Sequence, residues 1–215
     1  MNWDAIETVL LDMDGTLLDR AFDDQFYLEA LPERYAVARG LSVDEARERL
    51  IALYRAVEGT VQWTDLDYWT SQLALDVPAI KETLRGGIAS HPDSLDFLGF
   101  LRKRKMPTHL VTNAHPKTLA LKMAQTGLRP HLDRTITAFE VGCLKCDRVY
   151  WVKSEAMLGF NPATTLFVDD DEMSLASADA HGISHLIHRS KSSSALPPQP
   201  SATYRSIETF HELMG

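Results

Sequence analysis

The stretch Thr8-Val9-Leu10-Leu11-Asp12-Met13-Asp14-Gly15-Thr16 constrains this chain more than any other. Val9 to Leu11 is an unbroken apolar run, the pattern of a strand buried on both faces of a parallel sheet. It stops abruptly at two carboxylates, Asp12 and Asp14. Open α/β sheets place their ligands beyond the carboxyl ends of their strands, which is where Asp12 would stand. Successive residues of an extended chain point to opposite faces, so Asp12 and Asp14 would point the same way. Gly15 lets the backbone turn sharply and leaves room beside it. Two like charges this close need a cation or a shared proton, and an all-oxygen pair suits Mg²⁺.

Such a pair permits a specific chemistry. Asp12 can attack phosphorus and form an aspartyl-phosphate, a labile mixed anhydride that water then cleaves. Asp14, two residues on, can protonate the leaving oxygen and later deprotonate the incoming water. The competing reading, two acidic residues in a turn or helix cap, suits an isolated D-x-D. Its place after a buried strand and before Gly15-Thr16 argues against that here.

Asp12-Met13-Asp14-Gly15-Thr16 resembles the signature of the haloacid dehalogenase superfamily, whose members are mostly phosphatases. The resemblance implies an enzyme, a Mg²⁺-dependent phosphomonoesterase. It also implies a Rossmann-like, doubly wound parallel sheet with a small all-helical cap inserted after the first strand.

The rest of the chain follows that plan. No strand pattern occurs between Asp19 and His91. Phe22, Phe26, Leu28, Leu31 and Tyr35 recur at roughly helical spacing, with a kink or restart expected at Pro32. Ser42-Val43-Asp44-Glu45 is a capping box that opens an amphipathic helix over Ala46 to Val57. Trp63, Leu66, Tyr68, Trp69 and Leu73 form an aromatic-rich segment, and Val77 opens a further helix that stops at Gly86-Gly87. Helix and strand then alternate. Strands are expected at 108–112, 135–138, 165–168 and 185–187, with helices between them and a short closing helix within 204–214. Residues 190–202, rich in Ser and Pro, read as loop. The expected division is a catalytic core at 1–19 and 90–215 and a helical cap at 20–89.

Three further constellations stand at expected strand ends or in the loop after one. Thr112-Asn113-Ala114-His115-Pro116 places a hydroxyl and an amide before a helix N-terminus, which suits phosphate oxygens as well as a plain cap. The resemblance assigns Thr112 to a phosphate oxygen, assisted by the backbone N–H of Asn113. His115, before Pro116 in a loop, reads as a surface residue. Lys145 matches, by order and context, the lysine that the superfamily carries after its third strand, where it would offset the negative charge and hold substrate. Lys153 competes but lies within an expected helix. Cys143 and Cys146 flank Lys145 and read as ordinary thiols, because one C-x-x-C is half a zinc site. Asp169-Asp170-Asp171-Glu172 ends another apolar strand, the last two suiting a helix N-terminus. The resemblance makes Asp170 the main Mg²⁺ ligand and Asp169 a second one, or a residue behind it, alongside Asp12 and Asp14. Ser174 stands where the family often has an acidic or amide ligand.

Leu66-Asp67-Tyr68-Trp69 and Thr112 to Pro116 narrow the resemblance to the superfamily's bacterial purine 5′-nucleotidases, acting on GMP and IMP. That implies a purine nucleoside monophosphate as the small-molecule partner. Trp63, Tyr68 and Trp69 could stack on its base, with Asp65 or Asp67 on its N–H edge; packing inside the cap is the equal alternative. Sugar-phosphate phosphatases and phosphomutases carry the same cap and stay open. Asp14 argues against a dehalogenase, and the early Asp12 and the insertion argue against a phosphoryl-receiving signalling module. A net charge of −8 argues against a nucleic-acid surface. The apolar runs are too short to cross a bilayer. Two cysteines, and no signal-peptide pattern after Met1, point to a reducing cytoplasm; a monomer or homodimer is expected, a choice the residues leave open.

Overall fold

A computed structural model describes all residues, Met1–Gly215. Six strands form one sheet: β1 (Thr8–Leu11), β2 (Thr108–Thr112), β3 (Arg134–Thr137), β4 (Thr165–Asp169), β5 (His185–Arg189) and β6 (Ser206–Ile207). Their order is β3-β2-β1-β4-β5-β6, and every pair is parallel. The chain winds outward from β1 to β3, then returns to lay β4 on the other side of β1. That reversal opens a crevice beyond the carboxyl ends of β1 and β4. Val9 and Leu11 pack on one face with Leu110, Leu166, Val168 and Ile187, and Leu10 packs on the other with Val111, Ile136 and Phe167. Burial on both faces is why β1 reads as a continuous apolar run.

Between β1 and β2 the chain builds only helices. These are α1 (Ala21–Gln25), a π-helical turn (Phe26–Ala30), α2 (Leu31–Arg39), α3 (Val43–Val57), α4 (Leu66–Leu73) and α5 (Val77–Thr83), with short 3₁₀ turns. The π turn lies just before Pro32, which has no N–H to donate to the carbonyl of Leu28. Arg47 Nε donates to that carbonyl instead, at 3.3 Å. The capping box is formed: Ser42 N donates to Glu45 Oε2 at 2.9 Å and Glu45 N to Ser42 Oγ at 3.3 Å. The insertion has its own apolar cluster, Phe26, Leu31, Leu50, Tyr54, Leu66, Trp69, Leu73 and Val77. The single ladder contact at its mouth is an isolated antiparallel bridge between Leu18 and Ser90.

The strands are connected or flanked by α6 (Ser94–Lys103), α7 (Pro116–Thr126), α8 (Ala138–Val141), α9 (Arg148–Leu158), α10 (Glu172–His181) and α11 (His211–Met214). Phe97, Leu98 and Leu101 of α6 cover one face of the sheet, and Tyr150, Trp151, Leu175 and Ala178 of α9 and α10 the other. The doubly wound α/β fold read from the sequence is the fold observed. Two elements were not foreseen, β6 and α8. With two and four residues, neither is long enough to show a period. No helix is long and apolar enough to cross a membrane.

One buried ion pair ties the C-terminal segment to the core. Arg189 and Asp93, 2% and 3% exposed, pair through both guanidinium nitrogens at 2.9 and 3.0 Å, and Phe210 N also donates to Asp93. Asp93→Ala leaves a buried guanidinium unpaired, at a cost of about 3–5 kcal/mol. Tm should fall by roughly 6–20 °C in thermal unfolding, at roughly 2–4 °C per kcal/mol for a chain this long. Replacing both partners by apolar residues of similar volume should recover most of the loss.

Candidate active site

The parallel pairing of β1 with β4 sets Leu11 against Val168, so the next residues, Asp12 and Asp169, emerge side by side. Asp12 N donates to the Val168 carbonyl at 3.1 Å, which holds the end of β1 in register. Asp170 follows directly. Carboxylate oxygens of Asp12, Asp169 and Asp170 lie within 4.8 Å of one another. Lys145, 2% exposed, bridges two of them: its Nζ donates to Asp12 Oδ1 and, at 2.6 Å, to Asp169 Oδ2. Its backbone is fixed on both sides. Its N–H donates to Asn113 Oδ1 at 2.9 Å, and its carbonyl accepts from Trp151 Nε1 at 2.8 Å. Lys153, the competing lysine, donates to the Val141 carbonyl at 2.7 Å.

Gly15 has a φ of +91°, in the left-handed region that favours glycine, and a Cβ there would lie 2.2 Å from Asp170 Oδ2. The room beside Gly15 is therefore taken by the Asp170 carboxylate, which also accepts from Arg20 Nη1 at 3.1 Å.

Three converging carboxylates share two cations, Lys145 and Arg20, so the cluster carries excess negative charge. Burial, against the pull of Lys145, pushes Asp12 up to about 7 and Asp169 up to about 7. Burial and then the Asp12 charge push Asp170 up to about 8. Lys145 is held above the ordinary lysine range: burial opposes this, but Asp12 and Asp169 outweigh it.

Asp14 departs from the expected arrangement. Extended geometry does not persist past Asp12, because Met13 turns into the core, fully buried, and Gly15 N closes a tight loop on the Leu18 carbonyl at 2.7 Å. The Asp14 carboxylate lies outside the converging trio and accepts from Lys122 Nζ at 2.5 Å through Oδ1. Burial raises its pKa, with Lys122 opposing.

Thr112, 1% exposed at the end of β2, accepts from Ala114 N at 3.1 Å through its hydroxyl. Asn113 holds Lys145 with its side chain, and its carbonyl accepts from Thr64 Oγ1 of the insertion at 2.8 Å. Both residues line a cavity of about 680 Å³ together with Asp12, Asp14, Lys145, Asp169 and Asp170. The aromatic residues of the insertion divide. Trp63, 37% exposed, lines the cavity with Tyr27 and Tyr54. Trp69 is fully buried, donates to the Trp63 carbonyl at 3.0 Å and meets Tyr54 edge-on at 5.0 Å. Tyr68 packs on Trp69. Asp65 caps α4, and Asp67 pairs with Lys117 at 2.5 Å. Neither aspartate lines the cavity.

His115 is not on the surface. It is 7% exposed and lines the cavity; its Nδ1 caps α7 by accepting from Lys117 N at 3.2 Å. Its Nε2 is 3.5 Å from Asp65 and 3.7 Å from Asp67, and burial holds its pKa below the ordinary histidine value. The sequence signal was slight, a His before a Pro that opens a helix. Arg20, Asp23 and Lys81 also line the cavity and stand in no motif. Ser174 serves α10, where its hydroxyl donates to the N-cap Asp171 at 2.7 Å. Cys143 and Cys146 are free thiols, and burial raises both.

Comparison with known proteins identifies the family of this chain. A haloacid dehalogenase-like hydrolase family model matches residues 6–182. The chain is 34% identical over 212 residues to the GMP/IMP nucleotidase YrfG of Escherichia coli (strain K12), covering 99% of this chain and 96% of that one. It is 25% identical over 224 residues to a phosphoglycolate phosphatase of Chromobacterium violaceum, covering 100% of this chain and 99% of that one. A crystal structure of a HAD phosphatase from Thermococcus onnurineus superposes with a TM-score of 0.80 at 25% identity, over 97% of this chain and 96% of that one.

The raised carboxylates fix the sign of a pH dependence. Asp12, Asp169 and Asp170 bind protons more tightly folded, at about 7, 7 and 8, than at their ordinary value of 3.8. Their stabilising protons are fully present below that ordinary value and lost as pH rises through the folded values. In a chelating buffer, Tm should therefore fall between about pH 5 and 9. Asp170→Asn should flatten that fall and raise Tm at its alkaline end; a wild-type Tm rising across this range would contradict the electrostatics.

Proposed function

The chain belongs to the haloacid dehalogenase-like hydrolases and hydrolyses phosphoric monoesters, and within that family we propose that it is a Mg²⁺-dependent purine 5′-nucleotidase working through an aspartyl-phosphate on Asp12. The observation that carries the mechanism is the convergence of Asp12, Lys145, Asp169 and Asp170 at the floor of one cavity. The substrate class rests on the near full-length identity to a GMP/IMP nucleotidase and on Trp63 at the cavity's edge.

In this reading Asp12 attacks the phosphorus while Asp14 gives its proton to the departing ester oxygen. The P–O ester bond breaks, its electron pair leaves with the nucleoside, and the phosphoryl group stays on Asp12. Asp14 then takes a proton from water as that water attacks phosphorus, and inorganic phosphate leaves with Asp12 restored. Thr112 and the backbone N–H of Asn113 hold phosphoryl oxygens, and Lys145 offsets their charge. The trio Asp12, Asp169 and Asp170 fits Mg²⁺, since all its donors are carboxylate oxygens within 4.8 Å and it is short of positive charge. The bound ion would neutralise negative charge on the phosphoryl group.

Residues 20–89 act as the cap over a core of 1–19 and 90–215. The separate apolar cluster of the insertion and the Leu18–Ser90 bridge at its mouth support that division. The phosphoryl-binding residues cannot tell one monoester from another, so selection falls to the cap. There Trp63 offers a face to the base, worth roughly 1–3 kcal/mol in stacking.

Three measurements test the proposal. Asp12→Asn should fold and lose essentially all turnover, because an amide cannot form the acyl phosphate; activity within about tenfold of wild type excludes Asp12 as nucleophile. Millimolar Mg²⁺ should raise Tm in proportion to RT ln(1 + [Mg²⁺]/Kd), and EDTA should abolish activity. Across GMP, IMP, AMP, UMP and glucose phosphates, kcat/KM should be highest for GMP and IMP. Trp63→Ala should narrow that preference by roughly tenfold, whereas Trp69→Ala should cost about 3–5 kcal/mol of stability. A sugar phosphate preferred over every nucleotide would overturn the substrate class and leave the phosphatase chemistry standing.

A further inference from the structure

A second charged cluster lies beside the carboxylate trio, and the mechanism above leaves most of it unexplained. Lys122 on α7 and Lys81 on α5 are each 1% exposed. A buried ammonium is costly unless it is paired, and both are paired through the same acid. Lys122 Nζ donates to Asp14 Oδ1 at 2.5 Å and also to Asp23 Oδ2, and Lys81 Nζ donates to Asp23 Oδ1 at 2.8 Å. Asp23 lies in α1. The chain of ion pairs therefore runs from the loop after β1, through the helix after β2, into the first and last α-helices of the insertion. Aromatic rings hold its far end, with Lys81 Nζ 4.8 Å from the Phe26 ring centre and 5.0 Å from that of Tyr27.

The position of Lys122 follows from helix geometry. Thr118 and Lys122, four residues apart, share one face of α7, and the N-cap His115 stands three residues before Thr118. All three are buried, at 7%, 4% and 1% exposed. His115 and Thr118 line the cavity, whereas Lys122 does not. Asp14 lines it, so Lys122 stands behind Asp14 and cannot touch a substrate there. Its bond engages Oδ1 of Asp14 and leaves Oδ2 without a hydrogen bond. An anchored first oxygen fixes the carboxylate's rotamer while the second stays open for proton transfer.

We propose that Lys122 is a positioning residue: tied to the insertion through Asp23 and Lys81, it holds Asp14 apart from the converging carboxylates and turned toward the leaving oxygen. This rests on the reading of Asp14 as the acid–base group. The readout is the dependence on leaving group. An alkoxide needs a proton as it departs, whereas p-nitrophenolate leaves without one, so lost acid catalysis penalises only the first. The parameter is kcat/KM, which reports the steps up to transfer of the phosphoryl group to Asp12.

The experiment compares p-nitrophenyl phosphate with the alkyl phosphomonoester that the enzyme hydrolyses fastest, in wild type, Asp14→Asn, Lys122→Met, Lys122→Arg and Asp23→Asn. Lys122→Met should lower kcat/KM for the alkyl ester about a hundredfold, within the range of lost general acid catalysis, and by at least about tenfold less for the aryl ester. Lys122→Arg should restore most of the alkyl activity, and Asp23→Asn should show a smaller loss with the same bias. Should Lys122→Met fail to fold, Lys122→Met/Asp23→Asn, which removes one charge of each sign, is read in its place. Equal losses on both esters, or none on the alkyl ester, would overturn the proposal. Asp14→Asn distinguishes the two levels. An unbiased Asp14→Asn removes the acid–base reading itself, whereas a biased Asp14→Asn beside an unbiased Lys122→Met removes only the positioning role.

Discussion

Carboxylate crowding at the carboxyl ends of β1 and β4 is the constraint on which the rest of this structure depends. Parallel neighbours in register deliver Asp12 and Asp169 to the same place, and Asp170 follows. Such a cluster is unstable alone, and its surroundings are arranged to hold it. Lys145 bridges two of the acids and Arg20 takes the third. Lys145 is itself held by Asn113 and Trp151, so the cation belongs to a rigid frame rather than to a mobile surface side chain. Even so the negative charge is in excess, which is the property expected of a site that binds a divalent cation together with a phosphoryl group.

Backbone conformation has as large a part as charge. Gly15 is where a side chain would collide with Asp170, and the tight loop it closes turns Asp14 out of line with Asp12. Two aspartates separated by one residue therefore enter different electrostatic settings. Asp12 faces Lys145 and the other acids, whereas Asp14 faces Lys122 and Asp23. Different settings for two like groups suit the proposed division between a nucleophile and an acid–base partner.

The helical insertion brings its own apolar cluster, yet polar contacts fasten it to the loop after β2 and to α7: Thr64 to Asn113, Asp67 to Lys117, and Asp23 to Lys122. Inside the insertion the aromatic residues fill two roles that sequence spacing could not separate. Trp69 points into the helical cluster and Trp63 toward the cavity, because Trp69 lies within α4 while Trp63 lies in the 3₁₀ turn before it.

The sequence by itself determined the doubly wound sheet, the helical insertion and the placing of Asp12, Asp169, Asp170, Lys145 and Thr112 around one crevice. The sheet and the insertion follow from local pattern, apolar runs that end in polar residues and capping signals, whereas the grouping of Asp170, Lys145 and Thr112 with Asp12 was what the family resemblance implied. It did not determine the direction of Asp14, which depends on a loop closed by Leu18. It also gave no sign of Lys122, Lys81 and Asp23 as a buried network, and it misplaced His115 on the surface. Those residues lie far apart in the chain, and a lysine reads as solvent-facing until a distant carboxylate is brought against it. Local periodicity encodes which face of an element is buried. Partners for buried charge are chosen only when separate elements pack, so that part of the site was decided by the tertiary structure alone.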